Sequence, residues 1–140
     1  MLVVVIIGLI AAIAIPRLSR GAAGAADASL SGDLAVLRDA VDRYSTEHSG
    51  TFPTVAAFTN QLTLYSSGTG ATNATRSTTY LYGPYLRAVP AQPVGNRKGQ
   101  SGVAAADAAT VGWIYNETTG ARNANTTTEA DATGKLYNTY

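Results

Sequence analysis

The only histidine of the sequence, His48, follows Glu47, and an imidazole beside a carboxylate can transfer protons or bind a metal. Both kinds of chemistry need further partners, but the chain has no second histidine and no cysteine. Ser and Thr are abundant without a Ser-His-Asp arrangement. Gly68-Thr69-Gly70 is too short for a phosphate loop and has no following lysine. We therefore predict that the protein is not an enzyme and that His48 is solvated or lies at a helix end.

A second candidate group comes late in the sequence, where Glu129 and Asp131 follow Asn125 and the threonines 126–128. Hard oxygen ligands of this kind bind calcium. Their spacing follows no calcium-loop pattern, so we expect a plain polar loop without a cofactor. Calcium at Glu129 and Asp131 is the alternative.

Three Asn-x-Thr triplets, at Asn73, Asn116 and Asn125, are potential acceptors for N-linked sugar. The Ser- and Thr-rich stretches 66–79 and 126–128 are compatible with O-linked sugar. Such triplets also arise by chance in a chain this rich in threonine, so glycosylation is a hypothesis.

The composition limits the kind of partner. The chain has 140 residues, of which 46% are hydrophobic, enough for the core of one domain. Only 14% are charged and the net charge is +1, so no strong positive field attracts nucleic acid. We predict no nucleic-acid partner.

The first fifteen residues, MLVVVIIGLIAAIAI, contain no charged or polar side chain. As a helix they would span about 22 Å, and a bilayer needs ~20 apolar residues. They fit a signal-peptide core, with Ala12–Ala14 as a cleavage-like pattern but no basic region before it. They also fit a buried helix of a globular domain, or the remainder of a membrane helix that starts upstream of Met1. We favour the last because the segment continues into an amphipathic helix.

That amphipathic helix is predicted from apolar residues at three- and four-residue spacing, with Gly50 as its stop signal. The opposite face carries two pairs at i,i+4, Arg38–Asp42 and Asp39–Arg43. Gly8 and Pro16 weaken the helix upstream, so we expect it to bend or melt between them. The apolar face consists of Ala23, Ala26, Leu30, Leu34, Leu37, Val41 and Tyr44.

The string VVVIIGLIAAIAIPRLSRGA, residues 3–22, resembles the type IV pilin superfamily. In that family a methylated aromatic residue and a glutamate precede the apolar helix, and here they would lie before Met1. Gly8 and Pro16 match the family's helix-weakening positions. A second stretch, Leu81 to Leu86 with Pro90, Pro93 and Val94-Gly95-Asn96, is similar to the major pseudopilin of type II secretion. Val94 departs from an aromatic there, and that branch often holds calcium in a C-terminal loop.

The resemblance implies a structural subunit of a helical type IV pilus-like or pseudopilus filament. Residues 1–21 would be the membrane anchor and filament core, and 22–140 a globular pilin-like domain. The expected partners are identical subunits, the cytoplasmic membrane before assembly, and assembly machinery with a separate ATPase and a prepilin peptidase. The filament would be extracellular or periplasmic. Its core would comprise Leu2, Val3, Val4, Val5, Ile6, Ile7, Leu9, Ile10, Ala11, Ala12, Ile13, Ala14 and Ile15.

Charges next to the apolar segment suggest contacts between subunits. Arg17 and Arg20 directly follow that segment. An unpaired charge near a packed helical core is costly, so we expect these arginines to pair with Asp27 or Asp33 of neighbours.

For the rest we predict an α+β fold, a long helix packed on a small antiparallel sheet. Residues 111–115 alternate large side chains and read as a strand, with a turn at 116–120 and a returning strand at 121–125. We expect a short helix from Pro53 to Leu62, loops at 66–79, 87–100 and 126–135, and a last short strand at 136–137. Phe52, Phe58, Leu62 and Leu64 should cover the helix.

A different function competes with the filament. In this alternative the chain is a monomeric membrane-anchored extracytoplasmic binding domain, and the apolar helix is only a tether. An exposed groove around Tyr80, Tyr82, Tyr85 and Trp113 would then hold the ligand, although aromatic residues of this kind more often belong to a core.

Overall fold

The computed structural model describes the backbone elements of the chain and the side chains of residues 1–15 and 21–140. It is an α+β structure, as predicted, in which one long helix precedes two small sheets. The helices are α1 (Leu2–Glu47) and α2 (Phe58–Thr63), and a 3₁₀ helix spans Tyr137–Thr139. The strands are β1 (Tyr65–Ser66), β2 (Thr72–Asn73), β3 (Gly102–Ala104), β4 (Val111–Tyr115) and β5 (Arg122–Ala124).

The second half of α1 packs on the domain through the predicted face. Leu30, Leu34, Leu37, Val41 and Tyr44 are all buried, which confirms the three- and four-residue spacing. Ala26 is half-buried, whereas Ala23 is exposed. The apolar stripe therefore contacts the core only from about its second turn onward.

One of the two expected ion pairs on α1 forms. Arg43 Nε lies 2.9 Å from Asp39 Oδ2. The prediction of an Arg38–Asp42 pair is wrong, because Arg38 instead donates a hydrogen bond to the Tyr140 carbonyl oxygen at 2.6 Å. Tertiary partners from the late part of the chain replace the local contact.

The end of α1 lies close to the predicted stop. The backbone N–H of His48 donates to the carbonyl oxygens of Tyr44 and Ser45. Ser49 has a φ of 55° and Gly50 a φ of 85°. Two left-handed residues in succession cannot continue a right-handed helix, and glycine adopts this conformation without a Cβ penalty.

The three-stranded sheet is mixed, with the order β3-β4-β5. The central strand β4 pairs antiparallel with β5 and parallel with β3. The predicted strand at 111–115, the turn after it and the returning strand are confirmed. The prediction of a purely antiparallel sheet is wrong at β3, a Gly-Val-Ala segment without apolar alternation that showed no strand signal.

The core lies between the buried face of α1, α2 and the mixed sheet. Trp113, Tyr115 and Phe58 are its largest members, and the rings of Phe58 and Tyr115 meet edge-on at 4.6 Å. Leu62 is fully buried beside them. Phe52 packs against this cluster while partly exposed.

Several short elements differ from the predictions. Strands β1 and β2 form a small antiparallel hairpin that, apart from Tyr65, lies within the stretch 66–79 expected to be a loop. Helix α2 begins at Phe58 because residues 55–57 form a turn first. Leu136 makes only an isolated bridge to Ala130 before the 3₁₀ helix. The irregular connection at 87–100 is confirmed.

Candidate functional site

The largest feature without a partner is the start of α1, residues 1–15, which we name the apolar arm. Every large apolar side chain from Leu2 to Ile15 is between 49% and 76% exposed. All members of the hydrophobic core, including the partly buried ones, come from residue 26 onward. No large apolar side chain of the arm therefore belongs to the hydrophobic core formed by the side chains described at 21–140.

A helix that is apolar all round exposes unfavourable apolar surface to water. Since its own domain does not cover this surface, another molecule has to. Contiguous apolar patches of this kind mark protein or membrane contacts. The arm is helical at Gly8, where an added Cβ would meet nothing within 4 Å. Pro16, the other predicted bending position, lies outside the described residues, so the bend stays a prediction.

The predicted inter-subunit charges are only partly placed, since Arg17 and Arg20 lie outside the described side chains. Asp27 and Asp33 are half-buried, and neither pairs with a cation among the side chains placed at 21–140. Asp27 Oδ1 is buried without a hydrogen-bond partner. Burial raises the pKa of the Asp33 carboxyl, against a smaller lowering by Ser29.

Glu129 and Asp131 serve as hydrogen-bond acceptors for their own loop and for residues outside it. Glu129 accepts from the backbone N–H of Asn96 at 2.9 Å, and this bond contributes most to lowering its pKa. Asp131 accepts from the Tyr140 hydroxyl and from Thr133, in that order of effect, and its pKa falls well below the usual range. Within the described ranges no three potential metal-ligating side chains cluster. Calcium at this loop stays a prediction.

The three Asn-x-Thr triplets have different environments. Asn73 and Asn116 are exposed, and each side-chain carbonyl accepts backbone N–H bonds two residues on. Asn125 is 4% exposed, and its Nδ2 donates to Asp107 at 2.8 Å and to the Val111 carbonyl at 2.7 Å. In the folded chain the acceptor nitrogen of Asn125 is thus enclosed, whereas those of Asn73 and Asn116 are exposed, and glycosylation stays a prediction.

The aromatic groove of the rival interpretation is not an open site. Trp113 is 1% exposed and its indole N–H donates to the Pro90 carbonyl at 2.8 Å. Tyr85 packs against the core and its hydroxyl donates to Glu47. Tyr80 and Tyr82 are half-buried. The strongest member of the expected groove is thus a core residue.

His48 lies at the end of α1, which confirms one of the two expected alternatives, but it is buried and not solvated. Nδ1 lies 2.8 Å from the Tyr44 carbonyl oxygen, and Nε2 lies 3.0 Å from that of Ser67. The Ser66 hydroxyl is 3.1 Å from Nε2. The signal that sequence reasoning missed was periodicity, since His48 follows Tyr44 by four residues on the same face.

Comparison with protein-family models, with curated proteins and with solved structures found no match. Among the residues described, no helix carries an apolar stretch long enough to cross a membrane.

Proposed function

We propose that the chain is a structural subunit of a helical pilus-like or pseudopilus filament, which polymerises through the apolar arm. The observation that supports this best is the arm itself, a helix exposed on every side and separate from the core of its own domain. Its sequence is also the part that resembles pilins.

Burial of the arm supplies the driving force. Removing a Val, Leu or Ile side chain from water contributes about 1.5–3 kcal/mol each. Where a membrane already holds the arm before assembly, its side chains are already out of water, so this hydrophobic contribution to assembly is small. Packing between helices then determines the free energy of assembly. Ala11, Ala12 and Ala14 let helix backbones approach closely, which favours helix association in an apolar surrounding.

The carboxylates near the arm fit the same proposal. Asp27 and Asp33 lack cationic partners within the placed side chains, and the arginines Arg17 and Arg20 follow the arm in sequence. In a filament, arginines of one subunit would neutralise aspartates of the next. Charge pairing of this kind fixes the register of subunits more than it adds affinity.

The test is electron microscopy of material sheared from cells that express the chain. Helical fibres whose repeat fits a 14.4 kDa subunit support the proposal. A chain found only as a membrane-bound monomer favours the rival, an extracytoplasmic binding domain on an apolar tether.

A substitution in the arm separates assembly from folding. Leu9→Asp places a charge in the proposed filament core and should abolish fibres while the denaturant midpoint of the domain stays unchanged, because Leu9 is 66% exposed and does not belong to the core of its own domain. The matched control is Leu81→Asp, since Leu81 is also exposed, at 49%, but lies outside the arm. Fibres that survive Leu9→Asp would contradict the assignment.

A further inference from the structure

Strand β3 lies at the edge of the mixed sheet, and its outer side is open. The sheet order is β3-β4-β5, so β3 pairs with β4 alone. No other backbone–backbone hydrogen bond of the described residues involves 101–106. An edge strand presents free N–H and C=O groups with which another extended segment can pair. Charged side chains or proline often block such an edge, and residues 101–106 contain neither.

A cavity of about 320 Å³ lies at the carboxyl end of this edge. Ala105, which directly follows β3, forms one wall, and Val55 and Ile114 contribute others. Ala104 and Ile114 are paired across the strands and therefore point to the same face of the sheet. Because β3 places only an alanine beside Ile114, a long side chain of an added strand has room there.

Glu117 is the only charged residue among the described side chains that line this cavity. Its Oε2 accepts the backbone N–H of Val55 at 2.7 Å, which fixes the carboxylate at the cavity. No described cation forms an ion pair with it. Apolar walls with one carboxylate fit the alkyl stem and the charged end of a lysine or arginine side chain.

The chain itself carries an exposed segment of matching charge. Between Glu47 and Asp107 there is no acidic residue. Within this stretch, residues 74–79 are all exposed. Arg76, at their centre, forms no ion pair with any side chain that the structure describes. A free cation and a free carboxylate thus lie on two separate surfaces of the same molecule.

The backbone of residues 74–79 is also available for pairing. Its hydrogen bonds are local and involve only residues 73–80. The segment reads Ala-Thr-Arg-Ser-Thr-Thr, and threonine is enriched in strands. In an extended conformation alternate side chains share a face, so Ala74 and Thr78 would flank Arg76 on one side.

We propose that residues 74–79 of one copy add as a strand to the free edge of β3 in the next copy, with Arg76 in the cavity beside Glu117. Backbone hydrogen bonds supply the attachment, and the charge pair fixes the register. The two surfaces differ, so the contact is heterologous, and a heterologous contact that does not close into a ring produces a helical polymer. The contact rests on the proposed filament, because an interface this small holds only copies that the apolar arm already brings together.

Cysteine cross-linking of full-length chains tests the contact, since the chain has no cysteine of its own. One chain carries Thr78→Cys and a second, with a different epitope tag, carries Ala105→Cys, so a mixed dimer can form only between copies. After co-expression and oxidation, sheared fibres and membranes should contain the mixed disulfide dimer. Ala132→Cys, exposed in another loop, replaces Thr78→Cys in the matched control and should give none.

Charge reversal tests the role of the Arg76–Glu117 pair. Adding Arg76→Glu to the Thr78→Cys chain should lower the cross-linked fraction about tenfold, because two carboxylates then face each other. Adding Glu117→Arg to the Ala105→Cys chain should restore it. Lys98→Glu makes the same charge change at another exposed residue of the acid-free stretch and should have no effect.

The outcomes separate this contact from the proposed filament. Fibres without the mixed dimer overturn the contact and leave the filament unaffected. The mixed dimer in membranes of cells that form no fibres supports the contact and contradicts the filament, and absence of both contradicts both. A cross-linked fraction that Arg76→Glu does not lower overturns the contact even if Glu117→Arg fails to fold, because Arg76 lies in an exposed loop.

Discussion

Residues 2–15 and residues 30–44 belong to the same helix, yet their apolar side chains have opposite surroundings. Leu9 and Ile10 are 66% and 61% exposed, whereas Leu34 and Val41 are fully buried. The difference lies in what is opposite them, since the sheet and α2 cover only the second half. Hydrophobicity alone thus does not show whether a helix stabilises its own domain or awaits another molecule.

Removing the same side chain from each region gives the largest contrast. Leu34→Ala should lower the free energy of unfolding by about 2–5 kcal/mol, because it opens a cavity in the core. Leu9→Ala should change it by less than about 0.5 kcal/mol, because its side chain is mostly exposed, lies outside the described core, and both residues favour helix. Urea denaturation of the monomeric chain in detergent measures both. Equal losses would mean that the arm packs on its own domain.

Two glycines, one in the arm and one in the domain, allow the same comparison with a smaller expected effect on stability. Gly120 has a φ of 69°, and an added Cβ would lie 2.6 Å from the Phe52 ring. Gly120→Ala should destabilise the domain by about 1–3 kcal/mol through strain and overpacking. Gly8→Ala has open space and should slightly favour the helix. Thermal unfolding of the two variants distinguishes them, and a stable Gly120→Ala protein would contradict the packing.

The smallest expected difference between the two regions is in how each contributes to stability at acidic pH. The pKa of Asp131 is lowered in the folded state, chiefly by the Tyr140 hydroxyl, so its contribution is present above the unfolded pKa and is lost as the pH falls. Stability of the unaltered chain should decline from pH 5 to pH 2, and Asp131→Asn should flatten that decline. A variant lacking residues 1–15 should keep the full acid dependence, because the arm has no titratable side chain. Urea midpoints across this range are the measurement, and an unchanged slope in Asp131→Asn would refute it.

The sequence predicted what depends on local periodicity. The buried face of α1 follows from 3.6-residue spacing, and β4 with its turn and returning strand follows from alternation and turn residues. The parallel pairing of β3 could not be predicted, because a Gly-Val-Ala segment has no preference for a neighbour until the sheet exists. Arg38 and Asp42 likewise found partners far along the chain.

Of the candidate site, the apolar arm was predictable from composition, but composition alone left its burial within the domain open as an alternative. Whether an apolar helix is covered depends on where the domain's own elements pack. The burial of Asn125 was missed for the same reason, since its amide is enclosed by residues from other elements. The burial of His48 could have been predicted from its four-residue spacing to Tyr44 on the buried face of α1. Polar residue types suggested solvent, and tertiary contacts decided otherwise.

Because the chain is synthesised from its N-terminus, α1 is made well before the residues that cover its buried face. Trp113 and Tyr115, which close over the buried face, leave the ribosome roughly 70 residues after Tyr44. At ~5–20 residues per second, the nascent helix waits on the order of 4–14 s without its cover. During that interval both halves of α1 present bare apolar surface to the cell. Folding of the later residues then covers the second half of α1, whereas the apolar arm stays prone to aggregation for as long as it has no partner.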